Sequence, residues 1–255
     1  MTFLPAKAPS GIRFISPLFA APVAARLQNI AGTARGTNIG DGKGVLYTVE
    51  HLLSAAAGLG IDDLDIEISG PEPPAMDGSA LPFAKALLEA GLREKPAQKK
   101  AAARLKTPVE FSAAQTTYRA VPREDGISIK LVYDHPHRLV GRQAVEFLLT
   151  PETYMADIAP ARTFGFGEEI KALKAAGLAL GGSLENAVII NEEEILASGG
   201  LRFPDEFARH KALDLIGDLA LAGLSFTGLA IEAMRPGHMG NVIFAKLLLD
   251  SAELT

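Results

Sequence analysis

Three short stretches of this sequence gather side chains that can bind a metal ion or move a proton. They are Glu50-His51, the run from Arg209 to Asp218, and Gly237-His238. In the second, His210, Asp214 and Asp218 follow one another at intervals of four, so on a helix they share one face. Their neighbours Phe207, Leu213, Leu215, Ile216, Leu219 and Leu221 predict that much of this helix is buried. Burying carboxylates and an imidazole is costly unless they are paired or hold a metal. A His-x-x-x-Asp pair can supply two ligands to one Zn²⁺, although the same spacing also serves an ordinary charge pair on a solvated face. Adjacent helical residues such as Glu50 and His51 point about 100° apart. One can therefore ligate an ion while the other flanks a water; the plainer alternative is an exposed Glu beside a partly buried His. Two His and one Asp would leave a fourth tetrahedral position open for a water whose pKa zinc lowers to about 7. Glu50 could take the proton of that water, and His238 could stabilise or protonate what leaves.

Composition narrows the classes. The chain has 255 residues, 48% of them hydrophobic, with 25 Lys+Arg against 30 Asp+Glu and no Cys. Any metal must be held by His, Asp or Glu, and no disulfide or thiolate chemistry is available. A formal net charge of −5 counts against a nucleic-acid partner, and the apolar content counts against disorder. The most apolar stretch, Leu215 to Met234, carries Asp218 and Glu232, which favours a buried core over a transmembrane span. The run from Phe14 to Ala25 loosely resembles a signal peptide but is broken by Pro17 and Pro22, so a cytoplasmic protein is expected.

The elements that must position these residues follow from patterning. A helix is predicted over Val49 to Ala57, with Thr48 as N-cap and Gly58 and Gly60 as its stop. Leu64 to Ile68 alternates as a strand, and Pro82 to Ala90 reads as a helix closed by Gly91. Residues 92 to 108 are rich in Lys and Arg and contain two prolines, which suggests a linker at 96–108 between a first domain, 1–95, and a second, 109–255. Strands are expected at Thr117–Val121, Ile127–Tyr133, Gln143–Leu149 and Ala187–Ile190, and helices at Phe166–Ala176 and Asp205–Ala222. His238 falls in a loop-like stretch. The fold class is therefore α+β, two domains of similar size rather than one doubly wound sheet. No glycine-rich phosphate loop offers a seat for ATP or NAD.

Several blocks carry a resemblance. Thr48-Val49-Glu50-His51-Leu52-Leu53-Ser54-Ala55, Met76-Asp77-Gly78-Ser79-Ala80, Asp134-His135-Pro136, Ala161-Arg162-Thr163-Phe164-Gly165-Phe166, Gly181-Gly182-Ser183-Leu184-Glu185-Asn186, Arg209-His210-Lys211, Leu213-Asp214, Ile216-Gly217-Asp218 and Gly237-His238 resemble, in order, the UDP-3-O-acyl-N-acetylglucosamine deacetylases. These are zinc enzymes of lipid A biosynthesis, and the likeness spans about residues 11 to 250.

The resemblance implies that His51, His210 and Asp214 hold Zn²⁺, with Fe²⁺ as the other candidate ion, and that Glu50 is the general base. Thr163 would help stabilise the oxyanion, and His238, supported by Asp218, would be the electrostatic or general-acid partner. Lys211 falls where the family contacts the nucleotide sugar and Tyr133 where a ring stacks on uracil. Phe164 and the segment 166–187, with Gly182 and Ser183 in it, fall where the family shapes a passage for the acyl chain. The implied fold is two small, mostly antiparallel sheets, each layered with two helices that pack inward, with a segment inserted around 165–190. The implied protein is a monomer acting on an acylated UDP-N-acetylglucosamine. A relative acting on a different N-acetylated sugar or amide, or a non-catalytic binder of a UDP-sugar or acyl group, is the alternative.

Two departures stand out. The family's opening strand pair and its Gly-Leu-His-Ser/Thr-Gly turn have no counterpart before Gly11, which predicts a short first sheet with an unpaired edge. The family's Gly-His-Ala-Leu-Asn-Asn becomes Gly237-His238-Met239-Gly240-Asn241-Val242.

Overall fold

The apolar runs become short strands because each is only a few residues long before a Gly, Pro or Asp turns the chain. A computed structural model describes residues 1–6, 9–94, 102–169 and 183–254. In chain order the first half contains β1 (Thr2–Leu4), β2 (Ile12–Ile15), β3 (Val23–Ala24), β4 (Ile30–Gly32), β5 (Asn38–Gly40), β6 (Val45–Leu46), α1 (Glu50–Gly58), β7 (Leu64–Glu67) and α2 (Leu81–Ala90). The second contains β8 (Ala102–Leu105), β9 (Val109–Ala113), β10 (Thr116–Pro122), β11 (Ile127–His135), β12 (Gly141–Leu148), β13 (Phe164–Phe166), β14 (Val188–Ile190), β15 (Ile195–Leu196), α3 (Glu206–Ala220), β16 (Ser225–Phe226), β17 (Leu229–Met234), α4 (His238–Ser251) and β18 (Ala252–Leu254).

The α+β expectation is met. The first sheet has the order β1-β7-β2-β3 and the largest the order β12-β11-β17-β10-β9. In the larger sheet β17 runs parallel to β11 and antiparallel to β10. Its residue pattern alternates buried and part-exposed positions, yet it lies inside the stretch that reads simply as apolar in the sequence. The α3 helix lies on β11 and β12 and meets α1 on its other side, so the helices face inward between the sheets. One continuous core joins Leu52, Leu53 and Ala56 of α1, Leu213 and Ile216 of α3, and Ile66, Ile129 and Ile231 of the two sheets. Among the described residues, no helix is long and apolar enough to cross a membrane.

Several expectations need correction. Thr48 does not cap α1: it adopts a left-handed conformation (φ 56°), Val49 holds the N-cap position, and no side chain bonds to the free N–H groups there. The Thr48 N–H instead donates to Asn38 Oδ1 at 3.2 Å, which makes Thr48 part of the tight entry turn. His238 is not in a loop but opens the 14-residue helix α4. Residues 102–105, within the segment read as a linker, form β8 and pair with β16 and β18. A strand does precede Gly11: β1 pairs antiparallel with β7 and is itself an edge of the first sheet, with β3 at the other edge. Most of the helix expected over Phe166–Ala176 lies outside the described residues, and Phe166 itself ends β13.

The meeting of α1 and α3 is unusually close, and glycine permits it. A Cβ on Gly217 would lie 2.1 Å from the Glu50 carbonyl oxygen. On its other flank Gly58 faces the Tyr154 ring, where a Cβ would lie 2.3 Å from the ring, while the Tyr154 hydroxyl hydrogen-bonds Ser54 Oγ at 2.9 Å. Small residues thus let α1 sit with its backbone against both neighbours. Gly217→Ala is expected to force the helices apart and to cost at least about 2 kcal/mol. A denaturation midpoint unchanged from the parent would show that the contact yields easily.

Candidate metal centre and active site

The close approach at Gly217 places the first turn of α1 beside the middle of α3. His51 and His210 then meet edge to face, with ring centroids 5.0 Å apart. Asp214 Oδ1 lies 3.4 Å from His210 Nε2 and 3.6 Å from His51 Nε2. The ligand-capable atoms of these three residues all fall within 4.8 Å of one another. Zinc–ligand bonds of about 2.0–2.1 Å in tetrahedral geometry would separate two ligand atoms by about 3.3–3.4 Å, so the cluster fits a single ion.

Asp214 supplies the sharper test. It is 2% exposed, and its Oδ1 is the one buried side-chain nitrogen or oxygen among the described residues with no hydrogen-bond partner. Its other oxygen is engaged, because Lys211 Nζ donates to Oδ2 at 2.9 Å. A buried carboxylate oxygen without a donor costs about 1–3 kcal/mol or more, and a cation held between the imidazoles would remove that cost.

Charge states agree. Burial opposes ionisation of Asp214, but His210, Lys211 and His51 outweigh it and hold the carboxyl well below its usual range. Burial lowers His210 to about 3, so it is a neutral imidazole. Its Nδ1 donates to the Ala161 carbonyl at 3.1 Å, which leaves Nε2 as the free lone pair. That carbonyl is itself fixed. Arg162 and Glu206, 2% and 0% exposed, form a buried two-pronged pair at 2.9 and 3.2 Å, and the Arg162 N–H donates to the same carboxylate. At His51 burial is opposed by Asp214 and Glu50, and the net effect raises its pKa.

Beside this cluster is a second group. Glu50 is buried, and burial outweighs the nearby imidazoles to raise its carboxyl above the usual range. His238 Nδ1 lies 3.0 Å from Asp218 Oδ2, and Nε2 lies 4.0 Å from Glu50 Oε1. Burial disfavours the His238 cation, but Asp218, Asp214 and Glu50 overcome it and push its pKa up to about 9. Of the three residues on one face of α3, His210 and Asp214 therefore belong to the candidate metal cluster while Asp218 pairs with His238.

A cavity of about 310 Å³ opens onto these groups, lined in part by Arg35, Glu72, Phe83, Thr163, Phe164 and Lys211. The Thr163 backbone is held by Gly78 O and Val188 N at 2.8 and 2.9 Å. Phe164 packs on Phe207 with centroids 4.7 Å apart, and Lys211 Nζ lies 5.4 Å from its ring centre. Tyr133 contacts Phe164 edge to face at 5.6 Å but does not line this cavity. Ser183 is exposed and makes a turn with Asn186, to whose Oδ1 its N–H donates at 2.8 Å; Asn186, not Ser183, reaches the cavity. Gly182 lies outside the described residues.

Sequence reasoning missed Thr37, Asn241 and Tyr118. Asn241 Nδ2 donates to Asp218 Oδ2 at 2.8 Å and the Tyr118 hydroxyl donates to Asn241 Oδ1 at 2.7 Å. A Cβ on Gly240 would lie 2.6 Å from that hydroxyl, so the altered loop after His238 is matched to the Tyr118 ring. Thr37 lies thirteen residues before Glu50 and 181 before Asp218, with no motif to join them.

Comparison with known proteins agrees with this geometry. Residues 1–250 match the profile of the family described as LpxC, UDP-3-O-acyl N-acetylglycosamine deacetylase. The chain is 41% identical to the UDP-3-O-acyl-N-acetylglucosamine deacetylase of Anaeromyxobacter dehalogenans, over 99% of this chain and 81% of that protein. It is 39% identical to the enzyme of the same name from Campylobacter jejuni (serotype O:6), over 98% of this chain and 84% of that one. The enzyme of Syntrophus aciditrophicus is 42% identical, over 89% and 71% respectively. The chain therefore belongs to the UDP-3-O-acyl-N-acetylglucosamine deacetylase family and is an amide hydrolase.

Proposed function

We propose that this protein removes acetate from the 2-acetamido group of a UDP-3-O-acyl-N-acetylglucosamine, a step of lipid A synthesis, with His51, His210 and Asp214 holding Zn²⁺. The observation that carries the reading is the orphaned Asp214 Oδ1 between two imidazole nitrogens, with a buried carboxylate, Glu50, beside them. When bound there, zinc supplies a Lewis acid that polarises the amide carbonyl and acidifies water.

This chain's residues do the rest. Glu50 takes a proton as water oxygen adds to the acetyl carbon, and its burial-raised pKa makes it a stronger base than a solvated carboxylate. The Thr163 hydroxyl, with no hydrogen bond to another described residue, is free to donate to the oxyanion. His238 keeps its proton at neutral pH because Asp218 stands behind it. The cation offsets the developing negative charge, and its proton goes to the amine nitrogen as the C–N bond breaks, leaving acetate and a free amine. Arg35 and Lys211 are the cations of the cavity suited to a diphosphate, and Tyr133 is assigned to the uracil side. Phe83 and Phe164 give the cavity apolar walls for the acyl chain, each buried CH₂ of which contributes about 0.8 kcal/mol.

Purified protein is expected to carry about one zinc per chain. Zinc affinity should rise with pH, because His51, with its raised pKa, must lose a proton to ligate; pH-independent affinity would contradict this ligand set. Glu50→Gln should keep the metal and lose turnover at least about a hundredfold, and unchanged turnover excludes Glu50 as the base. Turnover should fall as pH rises through a value at or below about 9, since a nearby cation lowers the His238 pKa from its metal-free position. An acetate-release assay on the acylated UDP-sugar beside its unacylated form tests the substrate: equal turnover of both would point to another N-acetylated substrate.

A further inference from the structure

Thr37, the residue just before β5, is fully buried, and each of its polar atoms meets a different part of the site. Its N–H donates to Glu50 Oε2 at 2.9 Å. Its carbonyl accepts from Val49 N–H at 3.0 Å, which ties it to the start of α1. Its hydroxyl lies 2.5 Å from Asp218 Oδ1 and 3.4 Å from His238 Nδ1.

The proton positions follow from donor and acceptor chemistry. A carboxylate only accepts, so the Thr37 hydroxyl is the donor to Asp218. With that proton committed, the hydroxyl oxygen presents only lone pairs towards His238 Nδ1, as does Asp218 Oδ2 at 3.0 Å. Facing two acceptors, Nδ1 must carry a proton, and Nε2 is the nitrogen turned towards Glu50. Asn241 also donates to Asp218 Oδ2, so without Thr37 the carboxylate would be held from one side only. Gly36 completes the arrangement, because a Cβ there would lie 2.9 Å from Glu50 Oε1.

We propose that Thr37 is a positioning residue that sets Glu50 and His238 in register with each other. Its N–H fixes one carboxylate oxygen of Glu50, and its hydroxyl turns Asp218 so that Oδ2 faces the His238 imidazole. The base on α1 and the proton donor on α4 come from different elements and touch only at 4.0 Å; Thr37 is the residue bonded to both sides. This rests on the roles given above to Glu50 and His238.

The test compares Thr37→Val, which keeps shape and N–H but loses the hydroxyl, with Thr37→Ala and Thr37→Ser, each in the zinc-loaded enzyme. Val and Ala variants are expected to lose about tenfold or more in kcat, the scale for outer-sphere partners, with KM within about twofold and zinc content unchanged. Thr37→Ser should stay within about threefold of the parent, and this Ser-against-Ala contrast carries the test should the Val variant not fold. In a His238→Gln background, Thr37→Val should cost less than about a further twofold. Parent-like turnover by Val and Ala, a Ser variant as impaired as Ala, or full additivity with His238→Gln would each overturn the proposal. An unimpaired His238→Gln would remove the underlying reading and this proposal with it. An impaired His238→Gln beside unimpaired Thr37 variants would sink this proposal alone.

Discussion

The site exists because two helix backbones touch. Gly217 has no side chain, so the middle of α3 can lie against the first turn of α1 at the Glu50 carbonyl. Any other residue would push α1 outward and draw His51 away from Asp214. The same contact sets where Glu50 lies, because Glu50 and His51 are consecutive residues on one turn. Fold and chemistry are thus linked through one position that carries no functional group.

Around that contact the polar groups are arranged in layers. Lys211 occupies one oxygen of Asp214 and leaves the other unpartnered. The buried Arg162–Glu206 pair holds the Ala161 carbonyl, which in turn fixes the His210 ring. Buried ion pairs of this kind contribute little net stability compared with apolar packing. Here the pair orients the His210 ring through that carbonyl, and Arg162 immediately precedes Thr163 and Phe164, so the same anchor sets part of the cavity wall. The Thr37, Asp218 and Asn241 network does a corresponding job for His238.

Much of this was legible in the residues. The spacing of His210, Asp214 and Asp218 on an apolar helix correctly implied one buried polar face, since helical periodicity is local. Their neighbour Glu50-His51 had no local signal to say that it faced α3; the resemblance supplied that link and the Gly217 contact explains it. Thr37 was illegible because its partners are distant in sequence and it forms no motif. His238 was read as loop because Gly237 and Gly240 dilute the helical pattern, yet Gly240 is small to admit Tyr118. Thr48 misled because a Thr before a helix usually caps it, whereas a left-handed turn was needed there. β8 looked like a linker because Arg104, the flanking lysines and the neighbouring prolines mask a strand of four residues.

The most direct measurement of the central claim is zinc K-edge X-ray absorption fine structure on the protein loaded with one equivalent of zinc. Convergence of His51, His210 and Asp214 predicts a first shell of about four N/O ligands at about 2.0–2.1 Å, with outer-shell scattering from two imidazoles that drops to one in His210→Ala. A spectrum with no imidazole signature, or one unchanged by that substitution, would contradict the account.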